Sequence, residues 1–324
     1  MKVASFWVRT IDKVAKFLEF KGVNLEKLYN DFQESRITEL DFDLELENGL
    51  KTTRNFHDDD RVYIPKFYTK YCGPRTVTME FIDNAFRIDD VENIKKKYKE
   101  KTTPYVSQAL IDIFAKQIFL YGLVHSDGHP GNILVRDHPS DNSRPQIVLL
   151  DHGHYCEVGK EFRLKFCRLW YHLCTFNYAK VKEIAKEFGI DTHYKYLPLI
   201  FTYRTMNSHK CLGEKMTSEE IEMLRRNDDL NLENIGFLVQ KLPWDIILIF
   251  KATHLITVHI SKFDSTDRTK LLRFTDYCME GLTNSTNSVA FWMLKLSLYL
   301  KILMFEYCYP LYKAIYGHAA HHQE

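Results

Sequence analysis

The stretch Leu123-Val124-His125-Ser126-Asp127-Gly128-His129-Pro130-Gly131-Asn132-Ile133-Leu134-Val135, followed by Val148-Leu149-Leu150-Asp151-His152-Gly153, concentrates most of the polar chemistry of a 324-residue chain. Asp127 and Asn132 stand five apart on a loop that leads into a short apolar run, Ile133–Arg136. Asp151 follows a second such run, Ile147–Leu150, across a polar turn containing Asp141, Asn142 and Pro145. If the two runs pair as a hairpin, Asp127, Asn132 and Asp151 converge at one edge. Asn132 and Asp151 then offer hard oxygen ligands of the kind Mg²⁺ takes, leaving it room to keep phosphate oxygens in its shell. Asp127 is free to orient or deprotonate an attacking hydroxyl. Taken one at a time each residue has a plain structural reading, as a turn cap, an αL position or a strand end; it is the joint spacing that points to chemistry.

An Asp on a loop, an Asn five later and a metal-binding Asp before a Gly form the layout of phosphoryl transfer in kinases. Zinc hydrolysis is the competing reading, using His125, Asp127, His129, Asp151, His152 and His154. It lacks an H-E-x-x-H or H-x-H-x-D-H arrangement. His125 and His129 are expected to brace the loop by hydrogen bonds.

Working outward, residues 3–20 and 24–34 read as helices, and Thr38-Glu39-Leu40-Asp41 as a capping box opening a third helix to about Arg54. Val62–Ile64 and Thr76–Ile82 are β-rich runs separated by Gly73-Pro74, which predicts a hairpin with an exposed edge. Val106, Leu110, Ile113, Phe114 and Ile118 share one helical face, and Gly122 stops that helix. After Gly159 the period is helical throughout, with a stripe of Phe162, Phe166, Leu169, Trp170 and Leu173.

Composition bounds the rest. Lys+Arg 44 against Asp+Glu 43 gives a net charge of +1, which argues against a nucleic-acid partner. With 45% hydrophobic and 27% charged residues the chain is neither disordered nor polytopic. Its length fits one large domain or two lobes, at roughly 100–200 residues per domain. Seven cysteines, at 72, 156, 167, 174, 211, 278 and 308, include no C-x-x-C pair, so buried reduced thiols are expected. The first 22 residues are basic and amphipathic but carry Asp12 and Glu19, unlike a presequence. Trp244–Ile260 and Ala290–Phe305 are apolar but interrupted by Lys251 and His254, and by Lys295 and Lys301, against the roughly 20 apolar residues of a span. Trp292, Leu296, Tyr299 and Leu303 form a stripe expected to pack in a core, with contact to a bilayer surface as the alternative.

His125–Asn132 followed by Asp151-His152-Gly153 resembles the signature of the UbiB/ADCK (aarF-domain-containing) atypical kinases, H-x-D-P-H-P-G-N with a D-H-G in one mitochondrial branch. Glu39-Leu40-Asp41-Phe42-Asp43-Leu44-Glu45 is similar to the family's E-L-D-F-x-x-E helix, which makes Glu45 the partner of a nucleotide lysine. Thr78-Met79-Glu80-Phe81 resembles the hinge strand whose backbone meets adenine, and Glu161–Trp170 looks like the segment after the D-H-G. The resemblance covers residues 5–285. It implies an α+β, protein-kinase-like fold, with a reduced small lobe followed by a mainly helical large lobe. The segments are 1–84, a partial small-lobe region; 85–285, the helical lobe with the catalytic loop; and 286–324, an apolar helix and polar tail.

The same resemblance implies ATP and Mg²⁺ as ligands, with Asp127 catalytic, Asn132 and Asp151 on the metal, and Glu45, Met79, Glu80 and Phe81 at the nucleotide. It also implies a mitochondrial role in lipid or coenzyme Q metabolism. Departures qualify it. Gly128 stands where the family has Pro, which is expected to loosen the loop. No K-x-G-Q, alanine-rich loop or strand lysine precedes Glu45, and Lys16 lies in a helical run while Lys2 lies at the terminus. Unaided activity is therefore expected to be impaired, and a pseudokinase acting as a binding or scaffold module is the alternative.

Overall fold

The computed structural model describes residues 41–98, 103–190, 193–206, 208, 211–214, 216–220, 222 and 241–304. The helices expected at 3–20 and 24–34, Thr38, Lys2, Lys16 and the tail after 304 lie outside them. The chain divides into two compact units interleaved along the sequence, whereas the three expected segments are contiguous. The first unit holds residues to 114, 123–157 and 217–264; the second holds 115–122, 158–216 and those from 265.

The first unit begins with α1 (Phe42–Asn55). Its cap is Asp41, whose Oδ1 accepts the Leu44 N–H at 3.0 Å, satisfying a first-turn donor with a charge that suits the helix N-terminus. The buried side of α1 is polar or small: Asn48, Gly49 and Thr52. A Cβ on Gly49 would lie 2.3 Å from the Phe67 ring and 3.3 Å from His152, so only glycine admits these rings so close to the helix.

A four-stranded sheet follows, in the order β1 (Val62–Tyr63), β5 (Asp141–Leu149), β4 (Ile133–His138), β2 (Phe86–Arg87). Strands β4 (Ile133–His138) and β5 (Asp141–Leu149) are the hairpin expected from the motif, with Ile133 opposite Leu149 and Val135 opposite Ile147. The turn is tighter than expected: Asp141, Asn142 and Pro145 belong to β5, and Pro145 sits opposite Asp137 beside a bulge, where strands tolerate proline. Strand β2 (Phe86–Arg87) pairs with β4.

The expected hairpin of Val62–Ile64 with Thr76–Ile82 is corrected. Strand β1 (Val62–Tyr63) lies parallel to β5, Val62 opposite Ile147. The turn at Gly73 joins a different pair, with Tyr68 N–H donating to Thr78 O and Glu80 N–H to Lys66 O, each at 2.8 Å. The cause lies just before β1. Arg61 donates from Nη1 to Asp112 Oδ2 at 2.6 Å and from Nη2 to Asp59 Oδ2 at 2.7 Å, and its carbonyl accepts the Ile147 N–H at 2.9 Å. Asp112 is fully buried on α3 (Thr103–Lys116), so Arg61 is held there and β1 falls beside β5. Helix α2 (Val91–Tyr98) precedes α3, burying Ile94 and Tyr98.

In the second unit, α3 continues into a π-helical turn, Gln117–Tyr121, that ends at Gly122 with φ 67°. A Cβ there would meet Val158 O at 2.6 Å, which confirms the expected stop. The core is aromatic: Trp170 on α4 (Lys160–Cys174) lies 5.5 Å from Phe119 and 5.4 Å from Phe274 between ring centres. Its indole N–H donates to Thr275 at 3.1 Å. Phe166, Leu169, Trp170 and Leu173 of the predicted stripe are buried, with Phe162 at the edge. Helices α5 (Tyr178–Glu187), α6 (Leu197–Thr202), α8 (Asp267–Thr283) and α9 (Val289–Leu303) complete it; α7 (Trp244–Ser261) belongs to the first unit. The core-packing reading of the α9 stripe is overturned: Trp292, Leu296, Tyr299 and Leu303 are all more than half exposed. Helix α9 packs instead through Phe291, Leu298 and Ile302.

Removing one partner of a buried ion pair strands the other charge, at a cost of about 3–5 kcal/mol. Arg61→Leu is accordingly expected to lose about that much stability in urea unfolding, and an unchanged midpoint would refute the role assigned to the Asp112 pair.

Candidate active site

Strand β3 (Leu123–His125) pairs with β6 (Tyr155–Glu157), His125 opposite Tyr155, and the loop that leaves β3 enters β4 at Ile133. Within the loop, Ser126 N–H donates to His154 O at 3.0 Å, His129 N–H to Asp127 O at 2.8 Å and Asn132 N–H to His129 O at 2.9 Å. Asn132, buried, joins the three motif residues: its Nδ2 donates to Asp127 O at 3.1 Å and to Asp151 Oδ2 at 3.3 Å. Asp151 Oδ1 accepts the Gly153 N–H at 2.8 Å. With the Asn132 amide nitrogen spent on protein acceptors, its Oδ1 is the atom left for a ligand beside the Asp151 carboxylate. One amide oxygen and one carboxylate fit Mg²⁺, which commonly completes its shell with water and phosphate oxygens.

Gly128, expected to loosen the loop, is engaged by its neighbours. Its carbonyl accepts from His259 Nε2 of α7 at 2.8 Å, and the space where a Cβ would stand is 3.1 Å from Phe114.

The histidines serve packing. The His125 ring stacks on Tyr155 at 4.9 Å and 1°, and on Phe114 at 6.2 Å. His152 also stacks on Tyr155, at 5.4 Å, and its Nδ1 meets the tyrosine hydroxyl at 3.0 Å. His129 Nδ1 accepts the Gly131 N–H at 2.8 Å. Burial pushes His125 down to about 4 and His152 down to about 3, so both are neutral at pH 7. No group of three His, Cys, Asp or Glu side chains able to hold a metal occurs among the described residues, which leaves the hydrolase reading without a site there.

Glu45 arrives from α1. Burial raises its pKa, the Asp151 charge raises it further, and a backbone hydrogen bond from His152 partly offsets both. It has no lysine or arginine partner among the described residues. The hinge segment lies one step away: Met79 pairs with Phe67, whose ring meets His152 edge-on at 5.9 Å. Glu80 spends its N–H on Lys66 and its carboxylate on the Tyr63 hydroxyl, so its side chain is structural and its N–H is committed. Strand alternation leaves the backbone groups of Met79 and Phe81 on the opposite edge; the Phe81 side chain is exposed. The sequence reading missed Tyr155, and it took Lys251 only as a break in an apolar run. Lys251 lies 3.5 Å from Asp127 Oδ1. All these residues belong to the first unit.

A family model for the ABC1 atypical kinase-like domain matches residues 2–185, more than half of the chain. The chain belongs to this family. Among curated ABC1 relatives it is similar to the probable serine/threonine-protein kinase abkD of Dictyostelium discoideum, 33% identical over 78% of this chain and 36% of that protein. It is 31% identical to AarF domain-containing protein kinase 1 of Xenopus laevis over 67% of this chain and 42% of that one. The chain thus spans well under half the length of these relatives. In fold it resembles the solved structure of Rv3197 with erythromycin from Mycobacterium tuberculosis, at TM-score 0.50 and 17% identity, over 83% of this chain and 66% of that one. A kinase-like fold, with a small sheet region followed by a mainly helical part, is what this ABC1 chain adopts.

The two buried histidines make stability depend on pH. Both have folded values below the ordinary 6.5, so under acid conditions the unfolded chain binds protons that the folded chain refuses. Stability is full above about 6.5 and falls as pH drops toward about 4, by about 1.4 kcal/mol per pH unit for each histidine. Urea unfolding at pH 7, 6 and 5 should show the midpoint fall; a constant midpoint would mean that the rings charge in place.

Proposed function

We propose that the chain binds a Mg²⁺-nucleoside triphosphate at the edge where the catalytic loop meets the β4–β5 hairpin, and acts as an ATP-binding or ATPase-like module of its family. The observation that carries this reading is the Asn132 side chain, bonded to both Asp127 and Asp151 while its oxygen is left over. In this reading Asn132 and Asp151 hold the metal, and the metal's charge draws in the phosphates. Asp127 faces the acceptor or water, and the outer backbone groups of Met79 and Phe81 meet the base. Glu45 is assigned to a basic partner near the phosphates. An impaired or pseudokinase state, with a scaffold role, is the second reading. The link to mitochondrial lipid or coenzyme Q metabolism rests on the UbiB/ADCK resemblance of the D-H-G.

Calorimetric titration with Mg²⁺-ATP tests the site. Binding is expected for the wild type and at least tenfold weaker binding for Asp151→Asn, since a charged ligand to the metal is lost. Identical heats from the two proteins would exclude nucleotide binding here.

The exposed α9 row supports contact with a lipid surface, because Trp292 and Tyr299 stand among Leu296, Leu300 and Leu303 with lysines at 295 and 301. Sedimentation with anionic vesicles should capture the wild type and release Trp292→Ser/Leu296→Ser. Equal capture of both would remove α9 from any lipid contact.

A further inference from the structure

Helix α7 has the length and apolarity of a membrane span, yet it is seated on the catalytic loop. Ile246, Ile249, Ala252, Ile256 and Ile260 are buried. Near its start Asp245 Oδ1 accepts from the Cys156 thiol of β6 at 3.4 Å. Near its end His259 Nε2 holds the Gly128 carbonyl at 2.8 Å. The helix is therefore fastened on either side of Lys251, once to the middle of the catalytic loop and once to β6, three residues after the motif's closing Gly153. Lys251 lies between the fasteners with its Nζ 3.5 Å from Asp127 Oδ1, and its side chain is half exposed.

An exposed ion pair of this length contributes little to folding, so stability does not account for a lysine set there. The charge balance of the site does suggest a purpose. Asp127, Asp151 and Glu45 are acidic, and Lys251 is the basic side chain paired with a carboxylate of this group among the described residues. Phosphoryl-transfer sites need fixed cations for the phosphate oxygens, commonly a lysine together with the metal. The Asn132–Asp151 side of the site suits the metal, and the Asp127 side is where Lys251 stands.

We propose that Lys251 is the cation that receives the terminal phosphate of a bound nucleoside triphosphate, so that the site distinguishes a triphosphate from a diphosphate. This rests on the nucleotide reading above. The ammonium exchanges its Asp127 partner for a phosphate oxygen without forming a covalent bond, and the long, half-exposed side chain has the freedom to do so.

The test is calorimetry on the full chain in Mg²⁺, with ADP and with a non-hydrolysable imido analogue of ATP, for wild type, Lys251→Ala and Lys251→Arg. Loss of a charge-assisted hydrogen bond predicts that Lys251→Ala weakens the triphosphate analogue roughly ten- to hundredfold. ADP affinity and the thermal midpoint should stay unchanged, and Lys251→Arg should restore most of the loss. Equal affinity of wild type and Lys251→Ala for the analogue overturns this proposal alone. Parallel weakening of both nucleotides, or a fallen thermal midpoint, also overturns it, in favour of a structural role. If the wild type binds neither nucleotide, the nucleotide reading falls and this proposal with it.

Discussion

A carboxylate shut away from water has to be answered by a cation, and in this chain the answer fixes the first unit. Asp112 lies fully buried on α3, and Arg61 reaches it while also gripping Asp59. With residue 61 held, Val62 and Tyr63 have one place to go, along β5. Tyr63 then carries Arg136 over its ring at 3.8 Å and directs its hydroxyl to Glu80. A few residues on, Phe67 closes against Gly49 and His152. The hinge segment, the α1 helix and the residue after Asp151 are thus positioned in series from one buried charge.

The second determinant is the imbalance of charge at the motif. Among the described residues, Glu45, Asp127 and Asp151 gather with the Lys251 ammonium beside Asp127, and the His125 and His152 imidazoles stay neutral because burial denies them a proton. Burial first, and the like charge of Asp151 second, raise the cost of ionising Glu45. A divalent ion is the natural relief for such a cluster. The arrangement therefore carries an electrostatic demand before any ligand is considered.

Some of this could be read from residues alone because the chemistry requires particular side chains at fixed intervals. Asp127, Asn132 and Asp151 converge as their spacing implied, and the buried row of α4 followed the helical period, whereas α3 is buried on nearly every side, beyond the single face expected. The partner of Val62–Tyr63 was hidden: two residues carry no pairing register, and the strand they join lies far along the chain. Strands β2, β3 and β6 are no longer than three residues, too short for alternation to show. Lys251 was hidden for a different reason, since its neighbour Asp127 is brought to it by tertiary folding and no local pattern marks the meeting. The α9 stripe had the spacing of a buried face, but whether a face is covered depends on what the rest of the chain leaves over.

The cysteines have a practical consequence. Cys156, Cys174 and Cys278 are buried with their thiols pushed up, to about 12 for the first two, so they resist electrophiles that need a thiolate. Cys72 and Cys211 are partly exposed. Cys72 sits in the hinge turn, its sulfur accepting the Thr78 N–H at 3.3 Å. One of these two accessible thiols belongs to each compact unit. With Cys308 replaced, the chain carries its own pair of attachment points for spectroscopic labels: one reports on the strand proposed to meet the base, and the two together form a ruler between the units.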